Sequence, residues 1–500
     1  YIFSFFGILS CVYIVINEPL LSEQYGFLNG TDQFLISIIL IFITLEMARR
    51  TVGWPLPLIT LIFLLYGLTG DKIPGEFGHP GIPINSFFGT LIITEGGLWG
   101  KLTGVSVSIV AVFVIFGAIL NAGEAGQGFM NIAIAAAGRL KGGAAKVSVI
   151  SSALFGSISG SASANVASTG MVTLPTMIKL GYSKKIAGAV EAVASTGGQI
   201  MPPLMGAGAF VMVELTGIPY SQIIIAAFIP ALLYFFAIWL GVNRYAELYD
   251  LKPYKVEMLP QISTVIKTAL FFLIPFSVLL AFMYSGYTPQ FSAAIAILSG
   301  LILLFFDINL NFSWKTTKTR IVNASLFAGR QVSIIASIIL CASLIVGVLG
   351  ITGLGIKVTS SIITLSGGNL WLALFLTAIA CLILGMEVPT TAAYVICVSV
   401  AGPALIDLGL KPLLVHLFIF WFALLSTITP PVCGGVFIAA SMVEENWLRV
   451  AKTALVLGLG LYIIPLAMIR HPSLIDFANL PLLSILTSIQ IGVGLFFVSK

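Results

Sequence analysis

The sequence predicts an all-α polytopic membrane protein with two inverted repeats, each a re-entrant helical hairpin followed by an interrupted transmembrane helix. Its 500 residues are 58% hydrophobic and only 9% charged, a composition typical of helical membrane proteins and not of soluble domains. Clusters of small, hydroxylated and helix-breaking residues interrupt the apolar sequence in two regions, and these regions are related by a constant offset along the chain.

The composition also excludes several classes of function. The net charge of +5 indicates basic cytoplasmic loops, and the chain has no basic patch with interleaved aromatic residues that would bind nucleic acid. Five cysteines without paired spacing and three scattered histidines form no metal-ligand pattern. Zinc-protease, nucleophile-elbow and P-loop motifs are absent from the sequence. We therefore expect neither an enzyme nor an ATP-driven pump, and no cofactor.

The N-terminal region, 1–100, is predicted to be a helical scaffold. Arg49 and Arg50 place the end of the second crossing in the cytoplasm, and 85–100 is predicted to be an interfacial or partly inserted segment. The chain opens at Tyr1 in an apolar run without a basic leader, so we expect a truncated or trimmed start and not a signal peptide. The predicted crossings of this region are 1–17, 33–50 and 56–70.

The first hairpin is predicted at 145–178. Its apolar segments, 145–156 and 163–178, flank a tip of small and hydroxylated residues. At 1.5 Å per residue they reach only about 18 and about 24 Å, less than the roughly 30 Å hydrocarbon core. Since positive charge marks the cytoplasmic side, the hairpin should enter from the cytoplasm and turn back near mid-membrane. The basic residues outside its two ends are Arg139, Lys141, Lys146, Lys179, Lys184 and Lys185.

An interrupted helix is predicted at 184–215. Gly197-Gly198 and Pro202-Pro203 fall within it, and glycine and proline weaken or remove the backbone bonds of a helix. Unwound backbone at membrane depth persists only where it is buried in protein or lines a wet cavity. A re-entrant tip facing a broken helix is therefore a candidate binding site.

The same arrangement occurs again 228 residues later. Here the hairpin is predicted at 369–406 and the interrupted helix at 412–441, and the hairpin ends are nearly free of positive charge. Basic ends on one copy and neutral ends on the other predict opposite orientations, as in the inverted repeats of secondary transporters. The matching landmarks are Leu174-Pro175, Leu180-Gly181, Pro202-Pro203 and Gly206 with Gly402-Pro403, Leu408-Gly409, Pro430-Pro431 and Gly434.

These repeats divide the rest of the chain. We predict a first repeat at 101–285, a second at 286–470 and a C-terminal helix within 471–500. Loops that should be cytoplasmic carry basic residues, whereas the outer loop 284–289 has no charge. The remaining predicted helices are 103–121, 125–140, 221–241, 265–285, 290–306, 331–349, 353–368, 453–470 and 482–499.

Three segments carry a family resemblance. GSISGSASANVASTGMVTLPTMIKLGYSKKIAGAVEAVASTGGQIMPPLMGAGAF (156–210) resembles the large membrane subunit of tripartite ATP-independent periplasmic (TRAP) transporters. LGMEVPTTAAY (384–394) and STITPPVCGGVF (426–437) resemble its second half. AGAVEAVASTGGQIMPP (187–203) is most similar to the fused permeases that work with TAXI-type binding proteins. The resemblance covers about 100–470, and 1–70 resembles part of the small subunit.

The resemblance implies an elevator-type secondary transporter in the inner membrane of a prokaryote. It implies inward transport of an organic acid, usually with sodium. It also implies a periplasmic or lipid-anchored TAXI-type substrate-binding protein as partner, besides membrane lipid. A proton-coupled transporter of the same fold, an ion or solute channel, and a structural membrane protein are the alternatives.

The tips and breaks supply the candidate ligands. Hydroxyls and freed carbonyls are hard oxygen donors suited to an alkali cation, and half-helix N-termini suit a carboxylate. The alternative is that these small polar residues only let helices pack closely. One ion site is predicted from Gly156, Ser157, Gly197, Gly198 and Pro202, and the other from Gly385, Thr390, Thr391, Thr427 and Thr429. The predicted substrate contacts are Ser161, Ser163, Asn165, Gln199, Pro389 and Thr390.

Two carboxylates are candidates for coupling. Glu191 precedes the first break in a spanning helix, where a carboxylate is a functional candidate by default. The alternative is that it pairs with a lysine or is exposed in a crevice. Glu387 stands where the resemblance implies a small residue, so it is either an added ligand, a site of proton coupling, or an exposed group in a vestibule.

Overall fold

The computed structural model describes residues 2–308, 311–386 and 388–499. These residues are almost entirely helical, with one isolated antiparallel bridge between Phe306 and Phe312. A chain immersed in lipid must pair its backbone groups internally, which explains the dominance of helix. Among the described helices, seven are long and apolar enough to cross a membrane, and a bent pair would make eight. The prediction of an all-α polytopic membrane protein is confirmed.

The N-terminal helices follow the predicted order. The three predicted crossings correspond to α1, α3 and α4, whereas the short α2 was not predicted. Within the segment predicted at 85–100, a short helix packs Phe87 and Leu91 into a hydrophobic core with Leu344 and Val348. The helices of this region are α1 (Ile2–Ile16), α2 (Glu18–Ser22), α3 (Thr31–Val52), α4 (Pro55–Thr69), α5 (Ile84–Ile92) and α6 (Lys101–Val105).

The first repeat contains both predicted parts, a hairpin and an interrupted span. The hairpin is α9 and α10, and the interrupted span is α11 and α12. A π-helical turn, Ser106–Val110, joins α6 to α7 within the crossing predicted at 103–121. Besides α6, the helices are α7 (Ala111–Ala122), α8 (Ala125–Ala137), α9 (Gly143–Ser159), α10 (Ala162–Lys179), α11 (Lys184–Gly197), α12 (Gly206–Thr216), α13 (Tyr220–Leu248) and α14 (Ile262–Tyr284).

The second repeat has the same helix starts. Thr390, Pro412 and Gly434 begin helices 228 residues after Ala162, Lys184 and Gly206 do. The helices are α15 (Pro289–Leu303), α16 (Trp314–Thr352), α17 (Leu354–Ser366), α18 (Leu370–Gly385), α19 (Thr390–Asp407), α20 (Pro412–Leu425), α21 (Gly434–Val443), α22 (Trp447–Leu457) and α23 (Ile463–Arg470), and the C-terminal helix is α24 (Pro481–Val498).

Two predicted crossings need correction. The helix predicted at 331–349 begins at Trp314, because no proline or glycine interrupts 314–328. The crossing predicted at 453–470 starts at Trp447 and bends by 61° at Gly458. The indole of Trp421 donates a 3.0 Å hydrogen bond to the Leu461 carbonyl near this bend, so a backbone acceptor there is satisfied away from water.

The chain forms two compact units. Unit 1 comprises 1–108 and 332–419, and unit 2 comprises 109–331 and 420–500. This grouping follows packing, whereas the division predicted from the sequence follows the repeats, so the two divisions describe different properties of the chain. The first hairpin and its interrupted span lie wholly in unit 2. The second hairpin lies in unit 1.

Helix α11 is the centre of unit 2. Every residue from Ile186 to Gly197 is buried, and the helix packs against α9, α10, α21 and α22 as well as α13. A helix enclosed on all sides must have polar groups that find partners inside the protein. The partners of α11 define the candidate site.

Candidate functional site

The tip of the first hairpin is narrower than the predicted 156–163. Helix α9 continues through Ser159. The Ser157 hydroxyl donates a 2.7 Å hydrogen bond to the Leu154 carbonyl, an arrangement that a helix tolerates. The turn consists of Gly160, whose φ of +60° favours glycine, and Ser161. The Ser161 side chain caps α10 by accepting a 3.3 Å bond from the Ala164 N–H.

The first break spans the residues between α11 and α12. The N–H groups of Gly198, Gln199 and Ile200 bond three residues back, at 3.1–3.3 Å, and the helix tightens before it ends. A cis peptide bond joins Pro202 and Pro203. A second cis bond, between Pro430 and Pro431, occupies the same place in the second repeat. The break predicted from Gly197-Gly198 and Pro202-Pro203 is confirmed.

Glycines allow the hairpin tip and the break to touch through their backbones. A Cβ added to Gly156 would lie 2.2 Å from the Gly198 Cα, and one added to Gly160 would lie 2.3 Å from the Gly206 Cα. No side chain fits at such distances. The structure therefore brings together Gly156 and Gly198, two residues that the sequence assigned to one site, and adds the pair Gly160 and Gly206.

This contact also brings two helix starts together. Helix α10 begins just after Gly160 and α12 begins at Gly206. The first N–H groups of a helix have no partner within it and carry partial positive charge. Helices α10 and α12 have 18 and 11 residues, and their converging N-termini favour the binding of an anion such as a carboxylate.

Asn165 braces the hairpin against the interrupted span. Its Nδ2 donates to the Ser152 carbonyl on α9 at 2.9 Å and to the Ser195 carbonyl on α11 at 3.1 Å. The side chain is fully buried, and both amide hydrogens are used. A substrate contact through Nδ2 would require breaking both bonds. Of the other predicted substrate residues in this hairpin, Ser161 caps a helix and Ser163 is exposed.

Glu191 lies in a fully buried cage of four hydroxyls. Ser148 of α9 donates to its Oε2 at 2.8 Å and Ser195 of α11 to its Oε1 at 3.2 Å. Thr169 and Thr173 of α10 also hydrogen-bond to the carboxylate. No ion pair to Glu191 occurs in the described part of the chain. The carboxylate thus links both arms of the hairpin to the interrupted span, without the lysine partner or the exposed crevice of the alternative.

Two tyrosines of α13 hold the other side of this span. The Tyr234 hydroxyl donates to the Val193 carbonyl at 2.9 Å, and its ring leaves no room for a side chain at Gly197. The Tyr220 hydroxyl lies against the carbonyls of Pro203 and Leu204, 3.1 Å from the latter. These carbonyls belong to the unwound segment, where helix bonds are missing.

The second break meets the first inside unit 2. The hydroxyls of Thr196 and Thr427 are 3.0 Å apart. The Thr427 carbonyl accepts a 3.1 Å bond from the Gly435 N–H, which closes the unwound loop before α21. The Thr429 hydroxyl lies 2.6 Å from that of Tyr462. Oxygen atoms of both interrupted spans therefore share this region.

Two buried oxygens at the first tip and break have no hydrogen-bond partner among the described residues. They are Oε1 of Gln199 and Oγ of Ser159. Gln199 is only 7% exposed, and buried polar atoms are nearly always paired with protein, water or a ligand. Gln199 follows Gly198 in the break, and Ser159 is the last residue of α9, three residues after Gly156. A ligand at the first tip and break could complete the bonding of these atoms.

The second hairpin is held differently. In unit 1, the hydroxyl of Tyr394 on α19 lies 2.7 Å from Nδ1 of His416 on α20. Gly385 ends α18, Pro389 precedes α19, and Thr390 and Thr391 begin that helix. Thr427 and Thr429, assigned from the sequence to the same ion site, lie in unit 2. Glu387 lies outside the described residues.

The base of the first hairpin, which the charge pattern predicts to be cytoplasmic, is densely packed. Tyr182 is buried in the turn between α10 and α11, and burial raises its pKa to about 12. Lys146, predicted as a basic end, is instead buried with its ammonium 4.9 Å from the Trp239 ring centroid. Lys184 at the start of α11 pairs with Glu444, just after the end of α21, at 3.7 Å, so these two helix ends lie together.

Several of these residues were missed by sequence reasoning. The hydroxyl cage, the Asn165 brace and the tyrosines of α13 all depend on which helices pack together. A signal was present, because Thr169 and Thr173 are spaced by four and so share one face of an apolar helix with a buried carboxylate in reach. The glycine pairs were visible only in part, as Gly206 was noted as a landmark and not as a contact.

Comparison with known proteins decides the family. The model for the DctM component of tripartite ATP-independent periplasmic transporters matches residues 39–483. The chain belongs to this family. The TRAP resemblance inferred from the hairpin and break motifs is thereby confirmed.

Curated relatives and a solved structure agree with this. The permease is 26% identical to the ectoine/5-hydroxyectoine TRAP large permease of Ruegeria pomeroyi, over 79% of this chain and 91% of that protein. It is 25% identical to the C4-dicarboxylate TRAP large permease of Pseudomonas aeruginosa, over 66% and 76%. The crystal structure of the Alcanivorax borkumensis YdaH transporter matches 88% of this chain and 99% of its own with a TM-score of 0.52 at 17% identity, a likeness of fold.

Membership defines the coarse function. The chain is the inner-membrane, multi-pass permease of a secondary transporter that works with a periplasmic substrate-binding protein, and it is not an enzyme. The TAXI-type branch, the small-subunit resemblance of 1–70, the coupling ion and the individual site residues stay predictions.

Proposed function

We propose that this permease imports an organic acid with a sodium gradient and receives it from a TAXI-type binding protein. The N-terminal helices would serve as a fused small-subunit scaffold against which the hairpins and interrupted spans move in an elevator cycle. Three relatives are named for ectoine, C4-dicarboxylates and sialic acid, all of them organic acids. This shared chemistry supports a carboxylate substrate.

The single observation that carries the proposal is the meeting of the first tip and break. The break contributes the unpartnered oxygen of Gln199 and the end of α9 that of Ser159, and hard neutral oxygens are the ligands an alkali cation prefers. The converging N-termini of α10 and α12 favour the carboxylate of the substrate. Cation and anion would then lie side by side and stabilise each other, which is the physical basis of symport.

The test is transport by the complete permease in liposomes with its binding protein. Uptake of labelled organic acids is measured with a sodium gradient, then with a proton gradient, each with and without the binding protein. Sodium-driven uptake that requires the binding protein is the expected result. Uptake that needs neither a gradient nor the binding protein would indicate a channel and overturn the proposal.

Gln199 offers a direct test of the cation site. Gln199→Ala removes the unpartnered oxygen and should raise the sodium concentration for half-maximal uptake about tenfold, equivalent to about 1.4 kcal/mol. Gln222→Ala, at an exposed glutamine near the start of α13, is the matched control and should leave it unchanged. An unchanged sodium dependence in Gln199→Ala would remove this oxygen from the site.

Proton coupling is the second candidate, and Glu191 is the observation that favours it. Each threonine hydroxyl of its cage carries one hydrogen but faces two acceptors: Thr169 lies 2.7 Å from the Asn165 carbonyl, and Thr173 lies 3.0 Å from the Thr169 carbonyl. The cage can therefore satisfy either an ionised carboxylate or a protonated one, by turning hydroxyls. Uptake driven by a proton gradient alone, and lost in Glu191→Gln, would select this candidate.

A further inference from the structure

A cavity of about 340 Å³ lies in unit 2, away from the tips and breaks. It is bounded by the turn before α9, the last turns of α13 and the end of α24. Its volume is at the lower end of the range for ligand pockets, about 300–1,000 Å³. Its lining residues are Lys141, Leu240, Asn243, Arg244, Ala246, Glu247, Phe496 and Ser499.

The basic residues that line the cavity indicate that it lies at the cytoplasmic surface of the membrane. Lys141 and Arg244 both stand at ends of apolar segments, where basic residues mark the cytoplasmic side. Leu240 and Phe496, one turn or less further into the apolar parts of α13 and α24, line the same cavity. A single space therefore has polar residues at headgroup depth and apolar residues toward the hydrocarbon, which is the profile of a bound phospholipid.

The walls of the cavity are held in place by backbone contacts. Gly142, with φ of +70°, lies so close to α13 that an added Cβ would be 2.8 Å from that of Ala246. Its N–H donates to the Leu251 carbonyl at 3.1 Å, and the Tyr254 N–H donates to the Gly138 carbonyl at 2.9 Å. The backbone of the turn that carries Lys141 is thus fixed relative to the last turns of α13, which carry Arg244.

Both signs of charge line the cavity. Arg244 lies 3.4 Å from Glu247 within the lining, and Lys141 lies 3.8 Å from Asp250, which does not line the cavity. The two carboxylates are 63% and 87% exposed, so these pairs are weak and screened and can exchange partners. A purely anionic headgroup would leave Glu247 facing a phosphate, whereas a headgroup with both a phosphate and an ammonium would match each charge with its opposite.

We propose that this cavity binds a phospholipid with a zwitterionic amine headgroup, with its phosphate on Arg244 and Lys141 and its ammonium on Glu247. Guanidinium and phosphate form the stronger, bidentate pair. A primary ammonium supplies three donors, for Glu247 and for the side-chain oxygens of Asn243 and Ser499. The first acyl carbons lie against Leu240 and Phe496.

The test is lipid binding by the full-length permease, delipidated in detergent and followed by native mass spectrometry. The probes are phosphatidylethanolamine, phosphatidylglycerol, and free phosphoethanolamine without acyl chains. Phosphatidylethanolamine should bind best. Equal binding of phosphatidylglycerol would overturn the zwitterion assignment, equal binding of free phosphoethanolamine would overturn the lipid assignment, and no binding would overturn the site.

Variants separate the two charges. Arg244→Ala should weaken phosphatidylethanolamine binding about five- to tenfold, the loss of a charge-assisted contact at a half-exposed site. Glu247→Gln should weaken phosphatidylethanolamine but leave or improve phosphatidylglycerol, and so reverse the preference. Lys252→Ala and Glu257→Gln, exposed in the loop after α13 and outside the cavity, are the matched controls. If a control variant changes binding as much as its partner, the effect is one of net charge and the site is refuted.

Discussion

Replacing Glu191 by glutamine and by alanine tests the hydroxyl cage directly. Glutamine keeps the shape of the side chain, and its amide and carbonyl can each still bond two of the four hydroxyls. Alanine removes both oxygens. Thr169, Thr173 and Ser195 then have second partners within 2.7–3.3 Å. Ser148 has no other partner for its hydroxyl in the described part of the chain.

The magnitude follows from this asymmetry. The stranded Ser148 hydroxyl costs about 1–3 kcal/mol, and the lost methylene costs about 0.8 kcal/mol. Both variants lose the buried charge, so its desolvation cancels between them. The alanine variant should therefore be less stable than the glutamine variant by about 2–4 kcal/mol. We expect the glutamine variant to assemble normally.

The assay is unfolding of the purified permease in mixed micelles, together with initial uptake rates in liposomes. The matched control is Glu214→Gln, which replaces a half-buried acidic residue of α12. Equal stability of the alanine and glutamine variants would refute the idea that the hydroxyl cage stabilises the contact between the hairpin and the interrupted span. Full transport with unchanged ion dependence in Glu191→Gln would remove the carboxylate from coupling and leave it a positioning residue.

Three further outcomes follow from the same contacts. Gly206→Ala should prevent stable assembly, because the added Cβ would lie 2.6 Å from the Gly160 carbonyl oxygen. Gly434→Ala, at the equivalent position of the second repeat, should be tolerated, because an added Cβ there would have no atom within 4 Å. Comparing the expression levels and thermal midpoints of the two variants checks this. Asn165→Ala should destabilise the permease by about 2 kcal/mol, one for each lost bond, and an equal effect in exposed Ser163→Ala would contradict the brace. Tyr234→Phe should cost about 1 kcal/mol, for the bond to Val193, as measured by unfolding in micelles.

Much of the fold could be predicted because the membrane simplifies the problem. Apolar runs that are too short to cross, breaks by paired glycines and prolines, and charge at loop ends are all local signals. They located both hairpins and both interrupted spans to within a few residues. Errors occurred where no local signal exists, as at Trp314, or where a bend depends on a distant donor, as at Gly458 with the Trp421 indole nearby in unit 2.

The candidate site was predicted only as a set of residues. Gly156 with Gly198 was grouped correctly, because tip and break are each marked by residue type. The partners of Asn165 and Glu191 could not be assigned, because hydroxyls and carbonyls are common along every helix and the sequence does not say which face meets which. The sequence also does not indicate that Ser159 Oγ and Gln199 Oε1 have no hydrogen-bond partner, because this depends on the packing around them.

The sequence by itself determined the family, the membrane class, the repeat and the places where helices stop. These depend on backbone propensities and on transfer from water to lipid, which are properties of short stretches of chain. Only the tertiary structure decided that Glu191 is enclosed by four hydroxyls and that glycines bring two helix starts into contact. Such features arise from side chains that are distant in sequence, and their energies exist only once the helices have packed.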